Sequence, residues 1–198
     1  MRKTFCLFIC LIACSSAFAQ NGAQKDLAVF ALVKTVESGF SVSKHMEIAE
    51  KPLVSKGFFY FKSPDKLRWE YETPYSYGFL VDGEKMLSWQ EKDGKKEIRN
   101  IPSGSGAREA ASLLKVFISM DMETISKIYE VETAEGGLAL IPKNNSGKQA
   151  VREIKILFAG HIAAVKKVIV YEKSGDFTEI TFTDTKIDGT LPQNAFTI

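Results

Sequence analysis

The stretch Gly57 to Pro74, GFFYFKSPDKLRWEYETP, reads as two strands joined by a tight turn. In the first strand Phe59 and Phe61 share one face, with Phe58 and Tyr60 on the other. In the second, Leu67, Trp69 and Tyr71 oppose Lys66, Arg68, Glu70 and Glu72. Period-two alternation of this kind predicts an antiparallel sheet with one dry and one wet face. Pro64 cannot donate to a ladder and fixes φ, so Ser63-Pro64-Asp65 marks the turn and sets the register. The dry face carries more aromatic bulk than a hairpin needs. It either fills a core or lines a pocket.

Working outward, the same signals recur. Upstream, Phe40, Val42 and Met46 alternate with Ser41, Ser43 and His45. Downstream, Asp82-Gly83 and Asp93-Gly94 join three strand-like runs, and Asp-Gly between such runs is a strong hairpin signal. Pro102-Ser-Gly-Ser-Gly106 breaks the pattern. Ala110, Leu113, Leu114, Phe117 and Ile118 then form a helical stripe, and Met120, Met122 and Ile125 continue an apolar, flexible segment. Strands are expected again over 128–133, 138–141, 151–158, 164–171 and 177–183, with Ala195 to Ile198 as a last edge strand. Ahead of all these, Gln24 to Ser38 reads as a helix with Asp26 near its start. Its run LAVFALVKTV is apolar nearly all round, which suits a helix buried on more than one side.

The fold class expected is mainly β with helices (α+β): about eleven antiparallel strands in a meander with a leading helix and a helical insertion. A long meander must curl or close to hide its edges. A curled sheet with helices on its concave face is the simplest arrangement.

Residues 1–19 look like a secretion signal, leaving residues 20–198 as a single domain. Arg2 and Lys3 precede the apolar run Thr4 to Ile12, and Ala17-Phe18-Ala19 is a small-x-small cleavage site. Leu11-Ile12-Ala13-Cys14 also resembles a lipobox, which would place a lipid on Cys14. All three cysteines lie in or beside this segment, so a chain cleaved after Ala19 has no disulfide framework or thiolate site. Loss of Arg2 and Lys3 leaves 24 basic against 24 acidic side chains. That balance argues against a nucleic-acid groove or an anionic membrane surface as the main partner.

No motif recommends catalysis, and no cofactor or metal is expected. The loop around Ser105 lacks the Gly-Lys-Ser/Thr of a phosphate loop and reads as a helix cap. His45 and His161, the only histidines, stand far apart in the chain. Glu70 and Glu72 share their face with Lys66 and Arg68, which reads as a solvated charged surface. What remains is an excess of large apolar groups in the leading helix, the middle helix and the dry face of the hairpin. Either they fill one core together, or they enclose a cavity for an acyl chain, which Met and aromatic groups suit.

The pattern Gly57-x-Phe59-x-Phe61-Lys62-x-Pro64-x-x-Leu67-x-Trp69, followed by Pro74 and Val81-Asp82-Gly83, resembles the LolA family of periplasmic lipoprotein carriers. The leading helix, the mid-chain helical insertion and the strand order extend the likeness over most of the chain. The resemblance implies an unclosed antiparallel barrel with a helical lid over a hydrophobic cavity. It implies a monomer that binds acylated lipoproteins or other lipids. Its partners would be an inner-membrane release complex and an outer-membrane acceptor. It places the protein in the periplasm of a Gram-negative bacterium, or on the outer membrane if Cys14 is lipidated, as in the related acceptor LolB. A carrier of another acylated lipid or a polyene, and a cargo-free envelope interaction module, remain as alternatives.

On this reading the cavity and lid residues are Phe30, Val33, Phe40, Val42, Phe59, Phe61, Leu67, Trp69, Tyr71 and Phe79 from the strands and leading helix. Leu113, Leu114, Phe117, Ile118 and Met120 are those from the middle helix. Well-studied carriers of the family have an arginine immediately before the motif proline that helps hold the lid closed; here that position is Ser63. Arg68 lies on the opposite face from Leu67 and Trp69, so Leu67→Glu is expected to weaken cargo binding more than Arg68→Glu. Each methylene removed from water is worth about 0.8 kcal/mol. Several tightly buried chains would pass the affinity ceiling of roughly −18 to −21 kcal/mol. A carrier that releases its cargo therefore needs a loosely packed cavity and a mobile lid.

Overall fold

Eleven antiparallel strands form one sheet in the computed structural model, which describes residues 32–143, 150–160 and 164–198. The side chains of residues 106, 107, 109, 110, 112 and 113 lie outside that description. The first six strands are β1 (Thr35–His45), β2 (Leu53–Lys62), β3 (Lys66–Thr73), β4 (Tyr77–Asp82), β5 (Lys85–Lys92) and β6 (Lys95–Asn100). Two helices follow, α1 (Gly106–Ser119) and α2 (Met122–Ile128). The remaining strands are β7 (Tyr129–Ala134), β8 (Gly137–Pro142), β9 (Val151–Phe158), β10 (Val165–Glu172) and β11 (Phe177–Ile187).

The strand order is β6-β5-β4-β3-β2-β1-β11-β10-β9-β8-β7. The meander is thus stitched through its middle by β1 and β11, while β6 and β7 are left as the two edges. Those edges are consecutive in the chain, and α1 and α2 form the link between them. Charged side chains on an edge discourage further pairing, and β6 carries Lys95, Lys96, Glu97 and Arg99.

Register follows the turns. Asp93 and Gly94 both have positive φ, 52° and 71°, and close a two-residue hairpin with Lys92 opposite Lys95. This is the conformation that Asp-Gly favours. Gly57 sits at a bulge in the β2–β3 pairing, opposite Tyr71. A Cβ there would lie 1.9 Å from the Glu70 carbonyl oxygen and 2.8 Å from Phe40 Cζ. Only a glycine lets the two strands and the Phe40 ring approach this closely.

The expected helix over 24–38 needs correction at its end. Thr35 to Ser38 belong to β1, where Val36, Ser38 and Phe40 alternate inward; the portion up to Ala31 lies outside the described residues. Asp188, just after β11, accepts hydrogen bonds from the backbone N–H groups of Lys34 and Thr35 at 2.6 and 3.2 Å, tying the two central strands together.

A second correction concerns the chain's end. Residues 195–198 form no strand. The tail instead folds over the outer face of β3, with Ala195 buried. Arg68 therefore is not on a wet face: it and Glu70 are each 8% exposed. Arg68 Nε donates to Glu70 Oε2 at 2.9 Å, and Nη2 binds the same oxygen. Arg68 Nη1 donates to the carbonyls of Asn194 and Thr197. The guanidinium also lies 5.4 Å from the Trp89 ring and 5.8 Å from Phe58. Alternation marks which face a charge takes, but it says nothing of what another segment lays over that face.

Candidate functional site

Two packed clusters fill the concave side of the sheet. One gathers Phe40, Phe59, Phe61, Leu67, Trp69, Val81 and Met86 from β1 to β5. Its centre is a stack of Phe40 on Trp69, with ring centroids 4.0 Å apart, continued by Phe59 at 5.4 Å from Trp69. Offset aromatic pairs of this kind add about 0.5–1.5 kcal/mol beyond area burial. The other cluster gathers Met120 from the end of α1, Ile125 from α2, and Tyr129, Leu138, Leu140, Ile154 and Ile156 from β7 to β9. Burial pushes the phenols of Tyr71 and Tyr129 above their usual range, so both stay neutral.

Helix α1 bridges the clusters. Ala111, Leu114 and Ile118 pack on the first, Val116 and Phe117 on the second. The helix starts at Ser105, whose Oγ accepts from the Arg108 N–H at 3.4 Å, as the capping reading of that loop required. It ends on Met120 in the left-handed region, φ 48°, and Asp121 then caps α2 through the Thr124 N–H at 3.1 Å. Arg108 reaches outward from the first turn. Its Nη1 donates to the Glu84 carbonyl at 2.8 Å and Nη2 to the Ile101 carbonyl at 3.0 Å.

Between the clusters the core is not fully packed, although Ile180 and Phe182 touch both. A cavity of about 780 Å³, counting its open mouth, lies there. Leu114, Phe117 and Ile118 of α1 form its roof. Val33, Val36 and Phe59 form one wall. Val165, Val168 and Val170 of β10, after Ala164, form the opposite wall. Ile180, Phe182, Thr185 and Ile187 of β11 lie between. Ile180 and Phe182 pack against both clusters, so the floor of the cavity is also the joint of the core.

Of the residues expected at the site, Val33, Phe59, Leu114, Phe117 and Ile118 line this cavity. Phe40, Val42, Phe61, Leu67, Trp69, Tyr71 and Phe79 do not; they pack into the first cluster. The physical reason is that Phe40 and Trp69 stack face to face and close the space the dry face would otherwise leave. Met120 is buried in the second cluster. Phe30 and the side chain of Leu113 lie outside the described residues. The apolar excess is therefore divided, part of it core and part of it wall.

The residues missed were those of β1, β10 and β11. Val168, Val170, Ile180 and Phe182 do alternate in the sequence. Alternation assigns a face without separating a filled part of that face from an empty one.

Ser63 donates its backbone N–H to the Lys34 carbonyl at 2.8 Å. Leu67 is 0% exposed and Arg68 is buried under the tail, so the contrast expected between their glutamate variants no longer separates cargo binding from folding. Glu70 is paired and buried, Glu72 exposed. His45 stacks on Phe177 with centroids 4.2 Å apart and hydrogen-bonds Ser43 Oγ at 3.1 Å. His161 lies outside the described residues. A second hollow, about 620 Å³ with its mouth, separates Leu80, Leu87 and Ile98 from Phe196 and Ile198 of the tail.

An unclosed eleven-stranded sheet with a helix roofing an apolar cavity narrows the comparison with known proteins. The family described as "Outer membrane lipoprotein carrier protein LolA" matches residues 31–198. The chain belongs to the LolA family. A LolA relative from Legionella pneumophila (strain Paris), an outer-membrane lipoprotein carrier protein, is 25% identical over 99% of this chain and 94% of its own. Among solved structures, the complex of Pseudomonas aeruginosa MucA/MucB superposes with a TM-score of 0.53 at 10% identity, over 91% of this chain and 61% of the other. A LolA superfamily protein from Nitrosomonas europaea gives 0.49 at 11% identity, covering 89% and 97%. These structural likenesses concern the fold. LolA membership makes this chain one of a family of lipoprotein carriers.

Proposed function

We propose that the protein carries acylated lipoproteins across the periplasm, holding their acyl chains in the cavity under α1. In this reading it takes cargo from an inner-membrane release complex and yields it to an outer-membrane acceptor. The observation that carries the proposal is the cavity itself, walled mostly by hydrocarbon from α1, β1, β2, β10 and β11. A wall of this kind stabilises an alkyl chain by removing it from water, about 0.8 kcal/mol per methylene. Burying the same surface against side chains would have been simpler, and the fold does so on both sides. The family's carriers, by their name, handle lipoproteins, and residues 20–198 then act as one carrier domain.

Native mass spectrometry of the protein purified from an envelope fraction without detergent tests this. A co-purifying mass that fragments to acyl chains is the expected result. A bare chain that also fails to bind an apolar fluorescent probe would overturn the proposal.

A further inference from the structure

Thr185 is the one residue with a polar side chain among the described residues lining the cavity. A bulge puts it there. Glu37 pairs with Lys186 and Gly39 with Thr183, so Ser38 faces two residues of β11. Asp184 takes up the extra length with φ 51°. Bulges re-aim side chains, often beside functional sites. Upstream of this one, Ile180 and Phe182 face the cavity; downstream, Thr185 and Ile187 do.

The hydroxyl of Thr185 is not free to turn. Ser38 Oγ lies 2.8 Å from Thr185 Oγ1, and 2.9 Å from the carbonyl oxygens of both Thr183 and Gly39. Ser38 is 1% exposed, so water does not compete for it. Its single proton has two carbonyl neighbours that can only accept. Donating that proton to Thr185 instead would leave Ser38 facing both carbonyls lone pair to lone pair. The proton therefore goes to a carbonyl, and Thr185 closes the 2.8 Å contact by donating to Ser38. Thr185 Oγ1 then has lone pairs to offer a ligand and no proton.

We propose that Thr185, with its proton held by Ser38, is a hydrogen-bond acceptor selecting acyl chains joined to their head group through an amide N–H over chains joined through an ester. An ester linkage brings only acceptor oxygens to this point and loses hydration with nothing in return. An amide brings a donor. The proposal rests on the carrier reading above. It adds which linkage the cavity favours and which two residues decide it.

The test is displacement of an apolar fluorescent probe from the cargo-free protein by N-palmitoylglycine methyl ester and by the matched ester in which oxygen replaces the N–H. Wild type should bind the amide about three- to tenfold more tightly, the range a single net hydrogen bond supplies. Thr185→Val keeps the shape and should erase the preference by weakening the amide alone. Ser38→Ala frees the Thr185 proton and should also shrink the preference while the ester still binds. Equal affinities in wild type, or an undiminished preference in Thr185→Val, would overturn the assignment of Thr185. A full preference in Ser38→Ala would overturn the role of Ser38. If neither compound displaces the probe, the carrier reading fails and takes this inference with it.

Discussion

Arg108, in the first turn of α1, donates through Nη1 to the main-chain carbonyl of Glu84 in the β4–β5 turn, at 2.8 Å. Its other terminal nitrogen holds the Ile101 carbonyl at 3.0 Å. The roof of the cavity is thereby fastened to the sheet by an arginine that the helix itself supplies. The arginine that the resemblance implies before the proline of the β2–β3 turn is absent here, its position being taken by Ser63. Charge-assisted bonds to carbonyls contribute about 1.5–3 kcal/mol when made. Arg108→Ala should loosen α1 at its N-terminal end, speeding uptake and release of an apolar probe several-fold. Stopped-flow probe kinetics, with amide exchange across residues 106–119, check this. Unchanged exchange in the helix would show that the arginine is not the fastening.

Filling the cavity should abolish binding while sparing the fold. Ala164 lies on its wall and is buried. Ala164→Phe places a ring in space that is empty, so the overpacking penalty of about 1–3 kcal/mol should fall at its low end. Probe titration should show at least tenfold weaker binding, with a melting temperature within a few degrees of wild type.

Removing Arg68 should act on stability, not on cargo. Its loss leaves Glu70 under the tail with Lys96 at 3.7 Å as its remaining cation and frees the carbonyls of Asn194 and Thr197, so the cost should fall below the roughly 3–5 kcal/mol of a wholly uncompensated buried charge. Arg68→Ala should lower the urea midpoint and expose the last ten residues to carboxypeptidase. Arg68→Met with Glu70→Leu should recover much of the stability, since an apolar pair removes the stranded charge.

Acid should weaken α2 through one carboxylate. Hydrogen bonds from the Thr124 hydroxyl and N–H hold the Asp121 carboxyl below its ordinary value of 3.8. A depressed folded-state pKa means the cap's contribution is fully present above the ordinary carboxylate range. It is lost as pH falls through the folded value. An N-cap contributes about 0.5–2 kcal/mol. Asp121→Asn keeps an acceptor without a titrating charge, so its stability should decline less steeply with acid than wild type. Parallel pH–stability curves would contradict this.

Gly57→Ala should be among the most damaging single-methyl changes in the chain. The added carbon meets the Glu70 carbonyl at 1.9 Å, so β2 and β3 must separate. A loss of about 3 kcal/mol or more is expected, at or above the upper end for overpacking, read from equilibrium unfolding.

The strand plan was largely legible, and the reason is local. Phe59, Phe61, Leu67 and Trp69 announce a dry face, and Asp93-Gly94 announces its own turn conformation. Where reading failed, the deciding contact was remote in sequence. Arg68 looks solvated until a tail more than a hundred residues later covers it. Thr35 to Ser38 look helical because the apolar run before them hides the alternation of Val36, Ser38 and Phe40. Thr185 shows no sign of facing inward, since the bulge at Asp184 shifts the alternation by one residue. The cavity walls carry the weakest signal in the sequence. Val168 and Leu140 are both inward apolar strand residues, and only the distance across the core tells that one borders empty space.

The two unpaired edges of the sheet, β6 and β7, are joined by the very segment that roofs the cavity. Roof and seam are thus a single mechanical part, like a strap sewn to both lips of a purse. Parting the lips tightens the strap, and lifting the strap lets the lips part. Neither movement has to break a rung of the strand ladder, because the described residues carry no rung between β6 and β7. Among the described residues, side-chain packing, the Arg108 bond to the Glu84 carbonyl and the Lys143 bonds to the Ser126 and Ile128 carbonyls hold this segment to the sheet. In the carrier we propose, an acyl chain would enter and leave the cavity without any part of the sheet unfolding.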